Sequence, residues 1–294
     1  MLTLSKTRIN TYLGCSEKYR LHYELGLRPL KRAKSLVEGS AIHHQVQCGL
    51  LYRDSPPVDV LEHASRSFWE ENTIELCDYT DEGEYLKAQA RCLAESKAFL
   101  EQLGPLPVSQ VELKLSSPLI HPITLVEHPE INQLGYIDLL IHTDTKGSFC
   151  IADLKTAAKT PHEGLGRLAM ELTFYAYLYS QPFTPETSQT NSPVALIHLV
   201  RTKEPKVIWD EGRRSLPDFL ELYRLCRKVA ADIKAGHFWP CPGVHCGWCE
   251  YESLCFMHDE KAVQTFGERH WLLYHQDLKE RRVVKIPLKS VVGF

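Results

Sequence analysis

The sequence lacks any apolar run approaching the ~18 residues of a membrane span. It also lacks an N-terminal basic, apolar and small-residue succession of the secretory kind. These absences predict a cytoplasmic protein with no membrane partner. Repeats and low-complexity tracts are missing too, which excludes a solenoid or a disordered tail as the main architecture. There is no surplus of positive charge: the formal net charge is −3, so the whole chain gives no electrostatic case for nucleic acid. Cysteine is not scarce. In a reducing compartment its ten copies point to metal or cluster ligation rather than disulfides.

The length, 294 residues, suits one large domain or two small ones. The charge is unevenly spread. Residues 1–34 carry Lys6, Arg8, Lys18, Arg20, Arg28, Lys31, Arg32 and Lys34 against Glu17 and Glu24 alone. That segment reads equally as a phosphate-binding strip or as a solvated helix face.

The stretch Leu134 to Lys155 reads as a β-hairpin. Ile137, Leu139 and Ile141 alternate with Tyr136, Asp138 and Leu140. Asp144 and Gly147 frame a turn, and Phe149 to Leu154 forms the return strand. A turn centred between Thr145 and Lys146 sets Asp138 opposite Asp153, with Lys155 on the same side. A bulge at Gly147 would instead set Asp138 opposite Leu154. The unslipped register puts two carboxylates and an ammonium on one face and an apolar set on the other. Paired hard oxygens suit Mg²⁺ or Mn²⁺, and a nearby Lys suits charge developing on phosphorus. By itself Asp-x-Lys is short and common, and an exposed Asp–Lys pair fits it as well.

Elsewhere the patterns are coarser. Ser5 to Leu25 reads as helical with a break near Gly14-Cys15, and its Tyr12, Tyr19 and Tyr23 read as core. Ile42, Val46 and Leu50 mark a helix carrying His43 and His44, neighbours that cannot share one face. Residues 56–104 read as two helices. Val108 to Leu119 reads as a strand, with Glu112 either solvated or a further acid on the active face. Residues 120–131 read as a loop or irregular edge strand. A helix from Gly164 to Tyr179 places Glu171 and Tyr175 on one side. Strands at 194–200 and 207–209 precede a long amphipathic helix, 216–233.

Cys241, Cys246, Cys249 and Cys255 fall within fifteen residues, with Cys-x2-Cys at 246–249. Two metal readings stand here. The four can form a local structural Zn²⁺ site, or three of them with a distant Cys can hold an iron–sulfur cluster.

Taken in order, these motifs resemble the PD-(D/E)XK nucleases. The resemblance is to the RecB-like branch, including CRISPR-associated exonucleases and a helicase–nuclease subunit, in which a [4Fe–4S] cluster clamps the nuclease domain. Leu4-Ser5, Tyr12, Cys15, Tyr19 and Tyr23 match the opening motif, with Ser16 where the family has Pro. Gly39 to His43 matches Gly-x-x-x-His, Gly135 to Asp138 matches Gly-x-x-Asp, and Asp153-Leu154-Lys155 is Asp-x-Lys. Glu171 to Tyr175 matches Gln-x-x-x-Tyr, with Glu for Gln, and a Glu there repels phosphate. Cys246, Cys249 and Cys255 close the pattern.

The resemblance implies an α/β fold with a restriction-endonuclease-like core: a mixed β-sheet flanked by helices, an N-terminal helical region and a Cys-cluster segment closing the fold. Residues 1–256 would form the nuclease domain, with a helical insertion at about 56–104, and 257–294 a C-terminal extension. Catalysis is expected from Asp138, Asp153, Lys155 and His43. Mg²⁺ or Mn²⁺ would be held by His43, Asp138, Asp153 and the carbonyl of Leu154. A [4Fe–4S] cluster would sit on Cys15, Cys246, Cys249 and Cys255, with a structural Zn²⁺ as the alternative. Tyr175, Glu171 and Arg8 are the DNA-binding candidates. The expected activity is a DNA exonuclease on single strands or ends, in repair or recombination, with a helicase as a possible partner. Two alternatives are an inactive DNA-binding subunit of a helicase–nuclease complex and a zinc-stabilised binding module. Trp271-Leu272-Leu273-Tyr274 is expected to pack on a core.

Overall fold

The structure, a computed structural model, describes residues 1–52, 57–143, 149–181 and 191–282. The turn expected at Asp144 to Gly147 lies outside these. The chain divides into two compact units: residues 1–10 with 32–237, and residues 11–31 with 238–294.

The first unit is a mixed six-stranded sheet flanked by helices. Strand β1 (Leu2–Leu4) precedes α1 (Lys6–Gly14); α3 (Lys34–Leu51), α4 (Pro57–Glu71) and α5 (Glu82–Leu103) follow the second unit's first segment. Then come β2 (Val108–Ile120), β3 (Glu127–His142), β4 (Phe149–Ala157), α6 (Leu165–Leu168), α7 (Met170–Tyr179), β5 (Ser192–Val200), β6 (Lys206–Arg214) and α8 (Leu216–Lys234). The sheet runs β1-β3-β4-β5-β6 with β2 also on β3. Strands β4 and β5 are parallel, joined across α6 and α7.

Local chemistry explains several boundaries. Asp81 caps α5 by accepting from Glu84 N at 2.8 Å. Ser215 and Asp218 form a capping box that starts α8. The alternation expected in β3 buries Ile137, Leu139 and Ile141. Leu139, Ile141, Ala152 and Leu154 join α3, α4 and α5 in one core that also holds Phe99, Trp69 and Tyr85.

The structure departs from the sequence reading in four places. Leu2–Leu4 is a strand, too short for a period to show, paired in parallel with Ile131–Gln133. The helix expected from Gly164 breaks at Ala169, whose backbone is extended. Buried Arg214 holds that break, donating to the carbonyls of Gly166 (2.8 Å) and Ala169 (2.9 Å). Part of the expected loop 120–131 is strand, with Pro129 at a register shift of the β2–β3 ladder where no backbone donor is required. Strand β6 runs to Arg214 rather than ending at Trp209.

The second unit holds α2 (Ser16–Tyr19), a π-helical turn (Arg20–Glu24), α9 (Glu252–Cys255), α10 (Asp259–Phe266) and α11 (Glu268–Arg282). Cys15 interrupts the helical path with an extended backbone. Leu21, Leu27, Tyr251, Leu254, Ala262, Phe266 and Tyr274 form its core. Of the apolar patch at 271–274, Trp271 and Tyr274 pack there, while Leu272 and Leu273 stay exposed. Buried Arg20 is neutralised by Glu17 and by Asp277 at 2.8 Å. Among the described residues no helix is long and apolar enough to cross a membrane.

Candidate active site

The site arises from how β3 shares one edge. On that edge β1 pairs with residues 131–133 and β4 with residues 139–142, while β2 occupies the other edge. Residues 134–138 are therefore left without a ladder partner on the first edge. The β3–β4 register is the unslipped one, Leu139 on Ala152 and Ile141 on Cys150, but it stops one pair short of Asp138 and Asp153. Beyond that point β4 pairs only with β5.

Asp138 fills the opening. Its Oδ2 accepts the Leu154 N–H at 2.8 Å, replacing the ladder bond that the strands no longer make. Nδ1 of His43, on α3, lies 3.9 Å from the same oxygen. His44 turns away toward Phe68. Asp153 is fully buried. Its Oδ1 accepts from Lys6 Nζ at 2.8 Å, and Lys155 Nζ touches its Oδ2, which takes no well-formed hydrogen bond. Lys155 also lies 3.5 Å from Glu171 Oε1. Tyr175 is buried, its ring 5.1 Å from the Lys6 ammonium.

Two glycines permit this approach. A Cβ on Gly39 would stand 3.0 Å from Thr156 Oγ1, and one on Gly135 would stand 3.1 Å from Leu178 and 3.3 Å from the Tyr175 ring. The spacing motifs around His43 and Asp138 thus carry close packing as well as chemistry.

Electrostatics separates the two acids. Burial and the adjacent Asp153 charge push Asp138 up to about 7, against the Leu154 hydrogen bond. Burial acts upward on Asp153 too, but the Lys155 and Lys6 ammoniums outweigh it and hold that carboxyl below its ordinary value. Burial, with Lys155 and Lys6, lowers His43 to about 4, so its imidazole is neutral at pH 7. Two crowded carboxylates, one with a raised pKa and one whose Oδ2 meets the Lys155 ammonium without a well-formed hydrogen bond, offer oxygens that suit a hard divalent cation retaining several waters. Among the described residues no three His, Cys, Asp or Glu side chains stand in a metal-coordinating arrangement. The fit therefore rests on the two carboxylates with backbone oxygen and water.

Arg8 donates to the Thr3 carbonyl at 3.1 Å. Glu112 lies opposite Asp138 on β2 with φ 49°, and its carboxylate accepts from Gln47 at 2.6 Å. Sequence reasoning missed Gln47, which follows His43 by one helical turn, the signal that would have found it. It named Lys6 within the basic N-terminal segment but not its pairing with Asp153, which depends on β1.

The second unit gathers the cysteines. Cys15, Cys241, Cys246, Cys249 and Cys255 line one cavity of about 390 Å³, with His245 and Trp248. All are free. Burial, helped by Cys249, Glu17, Cys15 and Cys246, pushes the Cys255 thiol up to about 12.

The mixed sheet, with carboxylates and a Lys at the point where two strands part, fits a hydrolytic nuclease core of the kind that uses a divalent metal. Residues 3–256 match the model of the PD-(D/E)XK nuclease superfamily. The chain belongs to that superfamily. No curated relative matches it in sequence. Among solved structures it is similar to a protein from Eubacterium rectale described as "Putative exonuclease", at 13% identity and TM-score 0.47, covering 81% of this chain and 83% of that one. It is also similar to SSO0001, at 16% identity and TM-score 0.35, covering 81% and 92%. Neither likeness is close enough to carry function.

Proposed function

We propose that this protein is a DNA exonuclease of the RecB-like branch, acting on single strands or free ends. The observation that carries this reading is the convergence of Asp138, Asp153, Lys155 and His43 on the opening in the β3 edge. Asp138, Asp153, the Leu154 carbonyl and neutral His43 would hold one or two Mg²⁺ or Mn²⁺ ions. When bound, the metal supplies a polarised phosphate and a water of lowered pKa. Lys155 orients the attacking water and offsets charge on phosphorus. Lys6, braced by the Tyr175 ring, gives a second cation for phosphate oxygens.

In the second unit, Cys15, Cys246, Cys249 and Cys255 are proposed to hold a [4Fe–4S] cluster that ties residues 11–31 to the C-terminal segment. Their common cavity supports this, and Cys241 on the same wall keeps a Zn²⁺ site as the alternative. Work beside a helicase in repair or recombination is the setting proposed. The contact between Glu171 and Lys155 favours a second reading, a DNA-binding subunit of weak chemistry, because it draws the ammonium toward another anion.

Labelled linear single-stranded and duplex DNA, with closed circular DNA as control, decides between them. Cleavage of linear DNA alone with Mg²⁺ or Mn²⁺, and none in EDTA, supports the exonuclease. Binding without cleavage in any metal supports the second reading. Cutting of circles would make the enzyme an endonuclease.

A further inference from the structure

Beyond the carboxylates, the face of β2 and β3 that carries Asp138 continues as an open surface. Glu112, Lys114 and Ser116 alternate outward on β2 and are exposed. On β3, Gly135 and Ile137 are buried and Tyr136 is exposed, while Asp138, two residues further on, is largely covered. Tyr136 stands directly across from Lys114, whose Nζ lies 5.9 Å from the Tyr136 ring centroid. Tyr136 is 43% exposed. Among the described residues no carboxylate pairs with Lys114. Two strand residues span about 6.8 Å, so this pair lies one nucleotide step of an extended strand from Asp138.

We propose that Tyr136 and Lys114 form the subsite for the nucleotide adjoining the scissile phosphate: the Tyr136 ring stacks on its base and Lys114 meets its phosphate. This rests on the nuclease reading of the neighbouring carboxylates and deepens it, naming the residues that would hold an unstacked base. A base inside a duplex offers no free face to such a ring, while an unpaired base of any identity does. The exposed ring with a cation beside it is the arrangement that binds single strands without sequence preference. An ordinary cross-strand pair would steady the sheet and do nothing else. The two roles separate experimentally.

The test is a cycle with oligonucleotides in which one abasic position is walked along a single strand. Binding is measured in Ca²⁺ with wild type, Tyr136→Ala and Tyr136→Phe, and metal-dependent cleavage is followed in parallel. At one position, loss of the base is expected to weaken wild-type binding on the order of tenfold. Tyr136→Ala should weaken the intact strand equally and be insensitive to the abasic position, while Tyr136→Phe behaves as wild type. Lys114→Ala should flatten the salt dependence of binding. Equal abasic effects in wild type and Tyr136→Ala, or none at any position, overturn the subsite. If cleavage persists in that case, the nuclease reading stands. If the coupling is seen but no metal supports cleavage, the subsite stands and the nuclease reading falls. If no strand binds, both fall.

Discussion

Oδ2 of Asp138 accepts the backbone N–H of Leu154 at 2.8 Å, at the point where β3 and β4 stop pairing. A side chain thus completes a ladder that the backbone abandons. This bond holds the acid at the opening in the sheet edge.

Asp138→Asn is expected to stabilise the metal-free protein while abolishing cleavage. The folded pKa of Asp138 is raised from 3.8 to about 7. Its contribution is therefore full below about pH 4 and is lost as pH rises through 7. His43, lowered from 6.5 to about 4, acts in the opposite sense over much of that window. The difference between wild type and Asp138→Asn isolates the acid. In EDTA, the variant should gain ~1–3 kcal/mol at pH 8 and almost nothing at pH 4. Thermal melts across pH check this; a variant less stable at pH 8 contradicts it.

Lys6→Met removes the cation that occupies Asp153 Oδ1. Metal-free stability should fall by ~1–3 kcal/mol, because a fully buried carboxylate loses one of its two ammoniums. Mn²⁺ affinity by calorimetry should rise several-fold, since metal and Lys6 compete for one oxygen. Weaker Mn²⁺ binding would show that Lys6 supports the metal site instead.

The Ser16 hydroxyl bridges two backbone groups of one residue. It donates to the Trp239 carbonyl at 3.0 Å and accepts from the Trp239 N–H at 2.9 Å. Ser16→Ala should cost ~0.5–1 kcal/mol in denaturant melts, since the Trp239 N–H loses this acceptor while its carbonyl keeps the Glu17 N–H at 3.1 Å. An unchanged midpoint would mean that this bridge does not hold the two segments.

Much of the first unit was legible because its signals are local. The alternation in β3, the amphipathic period of α8 and the Asp-x-Lys spacing are each carried by neighbouring residues. What was not legible depends on distant pairing. Leu2–Leu4 becomes a strand only because Ile131–Gln133 offers an edge, and Lys6 reaches Asp153 only because of that strand. The hairpin register was readable, yet its end was not. Nothing local says that Asp138 will bond to Leu154 N in place of a ladder partner. The break at Ala169 needed Arg214, forty-five residues on.

Cys15→Ser and Cys241→Ser separate the cluster from the zinc site. If Cys15 is a ligand, Cys15→Ser protein purified without oxygen should lose iron, sulfide and visible absorbance, and Cys241→Ser should keep them. The reverse pattern, or zinc near one per chain without iron, would assign the cavity to Zn²⁺.

The central claim is metal-dependent phosphodiester cleavage at the opening in the β3 edge. It is tested most directly by incubating end-labelled single-stranded DNA with wild type, Asp153→Asn and Lys155→Ala, in Mn²⁺ and in EDTA. Cleavage by wild type in Mn²⁺ alone, with both variants slowed at least ~100-fold while still binding the strand, is the predicted result. Cleavage that survives Asp153→Asn would place the chemistry elsewhere in the molecule.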